Sequence, residues 1–390
     1  MFMKEKYETS NLVKGQDTMK KIGITCYPTV GGSGIIATEL GKLLAEKGYE
    51  IHFITFSMPY RLDCINPEIY YHEVELNHYP VFQSPPYDIA LAAKMAEVID
   101  REKLDILHVH YAMPHAICAI LAKDIAEHDV KIVTTLHGTD ITVLGIDQTF
   151  KRMIAYGIEK SDAVTAVSHD LVKRTKEQLA IDRDIEVIYN FVNEKEYYKK
   201  DREYIKKHYG ITSDEKVVIH ISNFRKVKRI RDVIQTFNYI QKEVNAKLIL
   251  VGDGPDHQMA IDYVKELDME DKVIFLGRQK NISDLLSISH VKLLLSEQES
   301  FGLVLLEAMA CEVPAIGTNV GGIPEVIEHG KTGYIVNLGD TVSAAKYAIE
   351  LLNNNLLYNI FSRQANARVT EHFHSEEIVN KYISLYERLR

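Results

Sequence analysis

The sequence has few cysteines, no long apolar run and no excess of basic charge. Each absence narrows what the chain is. Its four cysteines, Cys26, Cys64, Cys118 and Cys311, stand far apart with no C-x-x-C pair. That spacing supports neither a disulfide framework nor a structural zinc site, and it fits a reducing cytosol. No run of about eighteen apolar residues occurs, so no membrane span is expected. Residues 1–18, "MFMKEKYETSNLVKGQDT", lack the apolar core of a signal peptide and are read as a disordered or non-native extension. Acidic residues outnumber basic ones, 55 to 46, so binding to nucleic acid or another general polyanion is not expected. An anionic ligand needs a local positive pocket instead. Short-period repeats and low-complexity segments are also missing.

What is present reads as an α/β protein. The 390 residues allow two or three domains with cores of their own. From Lys20 onward, β-rich apolar runs alternate with helical patterns. "KIGITCY" precedes a helix over Ile35 to Lys47, and "EIHFITF" follows. "DILHVHY" precedes a helix from Pro114 to Glu127. "KIVTTLH" precedes one from Thr149 to Glu159, before "DAVTAVS". Strands apolar on both faces and separated by helices predict a parallel, doubly wound sheet. The rhythm breaks over the charged, tyrosine-rich stretch Glu186 to Lys216. It restarts with "KVVIHIS", "AKLILVGDGP", "KVIFLG", "VKLLLS", "VPAIGT" and "TGYIVN". The expectation is two tandem Rossmann-like domains, 19–190 and 191–370, with the ligand in the cleft between them. Residues 371–390 are expected to hold a C-terminal helix, with Ser375 as its N-cap, packing back on the first domain.

"SEQESFGLVLLEAMACEVPAIGT", Ser296 to Thr318, carries the strongest chemistry. Glu299 falls in the loop above a buried strand, and Glu307 falls about one and a half turns into the following helix. The N–H groups of Phe301, Gly302 and Leu303 sit at that helix start, where a phosphate is favoured. Carboxylates accept hydrogen bonds from sugar diols. The arrangement fits a nucleotide sugar with its diphosphate at the helix end. Two solvated glutamates are the plainer alternative, but Glu307 stands inside an apolar run.

"ISNFRKVKR" adds Arg225 and Lys228 at the start of another helix, where basic side chains oppose the helix dipole unless an anion lies near. "PTVGGSGIIATELGKLL" places Gly32 and Ser33 at a helix start in the first domain. The carboxylate a dinucleotide site needs at the end of the second strand is absent there, so a dehydrogenase is disfavoured. "TTLHGTDI" puts His137 just past a strand end, where a structural histidine is the plain alternative. His108 and His110 share a strand face, but with no evident third ligand they do not make a metal site. "VGDGP" is by itself only a turn.

Glu299, seven residues and Glu307, followed by "AMACEVPAIGTNVGGIPEVIEHGKTGYIV", resemble the retaining GT-B glycosyltransferases of family 4. The resemblance spans nearly the whole chain from Met19. It implies that Glu299 binds the donor sugar and Glu307 the donor ribose. It implies that Lys228 stabilises the leaving diphosphate and His137 contacts the donor sugar. It also implies that Arg278 flanks the base. The family usually has glycine and arginine where Ser222 and Asn223 stand, and Arg225 is taken as the substitute cation. No metal or other cofactor is implied.

Within that family, "GITCYPTVGGSGIIATELG", "HVHYAMPHA" and "TTLHGTDITVLG" resemble the members that transfer N-acetylglucosamine from UDP-N-acetylglucosamine to L-malate, the first step of bacillithiol synthesis. A malate dianion would be met by Ser33, Tyr111 and Thr135, with Lys151 or Arg152 as the cation. Packing at strand ends is the alternative for Tyr111 and Thr135. Polysaccharide or lipid acceptors, and a silent nucleotide-sugar sensor, stay open as alternatives. A homo-oligomer is compatible with the sequence.

Overall fold

A computed structural model describes residues 20–29, 31–62, 66–76 and 86–389. The expected extension, residues 1–18, and Cys64 lie outside the described residues. Seven parallel strands form one sheet: β1 (Lys21–Thr25), β2 (Glu50–Thr55), β3 (Ile69–Glu73), β4 (Ile106–His110), β5 (Lys131–Leu136), β6 (Ala163–Ala166) and β7 (Glu186–Val187). Their spatial order is β3-β2-β1-β4-β5-β6-β7. Six more parallel strands form a second sheet: β8 (Lys216–Ile221), β9 (Ala246–Val251), β10 (Val273–Gly277), β11 (Val291–Leu294), β12 (Ala315–Thr318) and β13 (Gly333–Val336). Their order is β10-β9-β8-β11-β12-β13, the same winding. The chain is thus α/β, with two Rossmann-like units.

In each sheet the strand order reverses once, at β1/β4 and at β8/β11. Loops leaving the carboxyl ends of such a strand pair diverge and leave a crevice. The four loops at the reversals carry Ser33, Tyr111, Lys228 and Glu299 or lead to them. The apolar runs dictate this layering. Ile22 and Ile24 of β1 are fully buried beside Ile51 and Phe53 of β2, under Ile36 and Leu40 of the helix Gly32–Glu46. On β11, Leu293 packs to one side with Val233 and Phe237, while Leu294 packs to the other with Leu305 and Leu306.

The last helix, Ser375–Arg388, returns to the first unit. Ile378, Val379, Tyr382, Leu385 and Tyr386 complete the core under β1 and the helix Gly32–Glu46. Its N-cap is His374, whose Nδ1 accepts the Glu376 N–H at 3.3 Å. The expected cap, Ser375, instead donates its own N–H and hydroxyl to Glu194, each at 2.7 Å, because that carboxylate reaches it from the inter-unit segment. Tyr386 is buried, with its hydroxyl 2.7 Å from His108 Nδ1.

Tyr386→Phe leaves His108 Nδ1 without that partner and should cost about 1–3 kcal/mol. Tyr386→Ala also removes a core aromatic and should cost about 3–5 kcal/mol. Urea midpoints at unchanged m-value report both losses.

Candidate active site

The second unit supplies most of the charge. β11 ends at Leu294, and the chain climbs through Ser296 and Glu299 to the helix Leu303–Ala310, whose N-cap is Gly302. Lys228 closes a short 3₁₀ turn, Lys226–Lys228, after β8. Its Nζ donates to Glu299 Oε2 at 2.6 Å. The loops are tied beside that pair, because the Glu297 N–H donates to the Val227 carbonyl at 2.8 Å. The Glu299 carbonyl in turn accepts the Gly322 N–H at 3.0 Å. A Cβ on Gly321 would lie 1.8 Å from that same carbonyl, so only glycine lets the "VGG" loop pass. The helix Leu303–Ala310 has no acidic residue in its first turn, which leaves its amide end free to favour an anion. Phe301 turns its ring into the core against Tyr189 and Phe373, so only its backbone faces the cleft side. Asn223, Arg225 and Arg278 are exposed on loops after β8 and β10.

Glu307 is buried among Leu305, Leu306 and Met309, and burial pushes its carboxyl above the ordinary range. The Arg61 guanidinium opposes that shift from 3.9 Å away.

The first unit supplies neutral polar groups. Tyr111 follows β4 with φ 89°, and its hydroxyl donates to Ser33 Oγ at 2.8 Å. Below it runs a column of imidazoles. The ring centroids of His108 and His110 are 4.6 Å apart, and those of His110 and His137 are 5.0 Å apart. His110 Nδ1 lies 2.8 Å from His137 Nε2. Burial pushes His108 and His137 down to about 3 and His115 to about 4, so all three are neutral at physiological pH.

One expectation about the acceptor side needs revision. Thr135 does not face the cleft. It is fully buried, and its hydroxyl is shared between His108 Nε2 at 2.7 Å and Thr165 Oγ1 at 2.8 Å, so it holds the histidine column instead. Lys151 and Arg152 sit on the helix Gln148–Lys160, half-buried and exposed respectively. No hydrogen bond or ion pair among the described residues ties either to Ser33 or Tyr111. On this side Asp140 was missed. Asp140 is buried and accepts the Ala112 N–H at 2.9 Å and the Gly138 N–H at 3.0 Å, tying together the loops behind Tyr111 and His137. Burial lifts its carboxyl to about 6. The available signal was the aspartate two residues after a glycine in "HGTD".

The two sets meet across the cleft. Gly138 has φ 113°, and a Cβ there would lie 1.6 Å from Ser300 Oγ. Ser168 Oγ donates to the Ser300 carbonyl at 2.7 Å. His137 and Glu299 therefore each neighbour a residue of one mutual contact. Gly32 faces Leu303, so two helix N-termini lie side by side. One further grouping, His52, His72 and Glu102, brings together potential metal ligands near the edge of the first sheet. Its imidazole nitrogens are already engaged by Glu50, Arg101 and each other, each at 2.9 Å. No helix among the described residues is long and apolar enough to cross a membrane.

Comparison with known proteins agrees with this fold. The family pattern described as Glycosyl transferases group 1 matches residues 201–368, and Glycosyltransferase Family 4 matches residues 30–196. The N-acetyl-alpha-D-glucosaminyl L-malate synthase of Bacillus anthracis is 59% identical over 94% of this chain and 96% of its own length. Among solved structures, the sucrose-phosphate synthase of Thermosynechococcus elongatus superposes with a TM-score of 0.80 at 20% identity, covering 95% of this chain and 99% of that one. Anabaena HepE, solved with UDP and glucose, also gives 0.80, at 19% identity and with the same coverage. These two show the fold.

Gly138→Ala forces Ser300 away and shifts the loops that carry His137 and Glu299. A misplacement of about 1 Å costs roughly 100-fold in turnover, and steady-state kinetics should show a loss of that order. Adding Ser300→Gly clears the space and should recover part of it.

Proposed function

The chain belongs to the GT-B glycosyltransferases of family 4, and from that premise we propose that it transfers N-acetylglucosamine from UDP-N-acetylglucosamine to the hydroxyl of L-malate. The reaction would take place in the cytosol, as the first step of bacillithiol synthesis. The observation that carries the reading is the convergence of three features at one cleft. These are the Lys228–Glu299 pair, the amide end of the helix Leu303–Ala310, and the neutral hydroxyl and imidazole groups opposite. The named activity of the Bacillus anthracis relative supports the choice of substrates.

On this reading the donor diphosphate lies between the two helix N-termini at Gly32 and at Gly302–Leu303. Lys228 and Arg225 supply the positive charge, and Asn223 lines the same loop. Glu299 accepts hydroxyls of the transferred sugar. Because Lys228 donates to Glu299, one ammonium links the recognition of that sugar to the neutralisation of its leaving group. Glu307 takes the ribose diol, and Arg278 flanks the base. His137 contacts the sugar as a neutral imidazole, so it offers a hydrogen bond without adding a charge near the bond that breaks.

The acceptor lies against Ser33, Tyr111 and the amides near Gly31, with Lys151 or Arg152 as the cation on that side. Asp140 is no candidate for a covalent nucleophile, since it is buried and bound by backbone amides. We therefore favour attack from the face the phosphate leaves. The malate hydroxyl forms the new bond to the anomeric carbon as the carbon–phosphate oxygen bond breaks. Its proton passes to the departing phosphate, and the anomeric configuration is retained. Cleft closure excludes water that would hydrolyse the donor.

UDP release from UDP-N-acetylglucosamine should require L-malate and persist in a chelator. Release with a polysaccharide or lipid acceptor but not with malate would move the assignment to those acceptors. Donor binding with no release under any condition would leave a sensor. Lys228→Ala should lower kcat by about 100- to 1,000-fold, the usual loss when a group stabilising developing charge is removed. Unchanged turnover would remove Lys228 from that role.

A further inference from the structure

Arg61 was not singled out by any motif, yet it reaches the centre of the donor half. It lies on the loop after β2, in the first unit, with φ 71°, a left-handed conformation uncommon for a residue with a side chain. Its Nη2 donates to the Tyr197 hydroxyl at 2.6 Å and stands 3.9 Å from Glu307 Oε1. Its Nη1 is 3.6 Å from Glu196, and its guanidinium lies over the Tyr197 ring. We infer that Arg61 is a positioning residue for the donor nucleotide. With Tyr197 it holds the Glu307 carboxylate for the ribose diol, and so couples closure of the cleft to donor binding. This rests on the assignment of Glu307 to the donor ribose.

The physical need is specific. A diol is clamped by an acceptor-only carboxylate, and protonation turns one of its acceptor sites into a donor. Glu307 is 4% exposed, and a carboxylate so buried without a counter-charge takes up a proton. The groups that act on it are Arg61, Tyr197, Lys292, Glu196 and Cys311. Glu196 works against its charge, and the Tyr197 and Cys311 groups stay neutral. Lys292, on β11 beneath it, is fully buried with no hydrogen-bond partner, and burial disfavours its own charge. A guanidinium keeps its proton in such surroundings. Arg61 is thus the dependable cation at Glu307, and it comes from the opposite unit. Its shortest contact is with Tyr197, so it steers Glu307 without capping the carboxylate oxygens. A cavity of about 690 Å³ opens beside it between the units, lined by Tyr60, Arg61, Tyr197, Lys280 and Asn281 among others.

The test measures UDP-N-acetylglucosamine kinetics and UDP binding by calorimetry across pH for Arg61→Met, Arg61→Lys, Glu307→Gln and the Arg61→Met/Glu307→Gln double variant. Arg61→Met should raise the donor KM about tenfold, by more than kcat falls. The malate KM should stay near wild type. The donor defect should deepen as pH falls, because Glu307 without its cation protonates at higher pH. Arg61→Lys, which keeps the charge but not the fork, should fall between and provides the readout if the methionine variant folds poorly. In the Glu307→Gln background, Arg61→Met should add little and show no pH dependence. A Glu307→Gln protein with unchanged donor binding would defeat the ribose assignment itself. Weakened binding in Glu307→Gln, with both Arg61 variants at wild-type level or with additive losses in the double variant, would overturn the role of Arg61 alone.

Discussion

The cleft depends on two parallel sheets being held with their carboxyl ends facing, and the Glu325 carboxylate fixes that arrangement. Glu325 belongs to the short helix Ile323–Val326 of the second unit. It accepts the first amides of the helix His169–Leu179 in the first unit, from His169 and Asp170, each at 2.9 Å, and the Tyr189 hydroxyl at 3.1 Å. A carboxylate at a helix N-terminus gains from the unpaired N–H groups and from the dipole together. Arg368 braces the same short helix by donating to the Glu325 and Val326 carbonyls at 2.7 Å. With the separation set there, Ser168 reaches Ser300 and Gly138 clears it. The loops bearing His137 and Glu299 then come together.

The two walls of the cleft differ in electrical character. Lys228, Arg225 and an open helix end place positive charge on the second unit's side. The histidine column opposite is neutral, because burial holds His108, His110 and His137 far below their ordinary pKa. That contrast suits a transfer in which negative charge grows on one side only. It also makes the imidazoles poor acids at physiological pH, and the hydrogen bonds of His108 to Thr135 and Tyr386 serve to orient that ring.

Much of this was legible before any geometry. Buried parallel strands show as uninterrupted apolar runs, so both sheets could be read along the chain. β3, "IYYHE", could not, because a half-exposed edge strand mixes tyrosine and histidine with its apolar residue. The helix Tyr87–Glu102 follows Pro86 with no side-chain cap to announce it. In the cleft, Glu307 and Lys228 stood out as charges in places where charge is costly. Asp140 and Arg61 did not, since their meaning comes from backbone amides and a carboxylate distant in sequence. Thr135 was misjudged for a related reason. Near a strand end, which way a hydroxyl points follows from the pleat and its neighbours, and the motif around it does not say. Ser375 lost its expected cap role to a contact with Glu194 that no local pattern encodes.

The return of the final helix to the first unit also bears on how that unit is completed. Tyr382 and Tyr386, distant in sequence, complete the core beneath β1. Without that helix, β1 and the helix Gly32–Glu46 keep an uncovered apolar face. One face of the second sheet closes on its own sequence, whereas the core under β1 waits for the helix Ser375–Arg388. The imidazole column acquires its Tyr386 partner only when that helix docks.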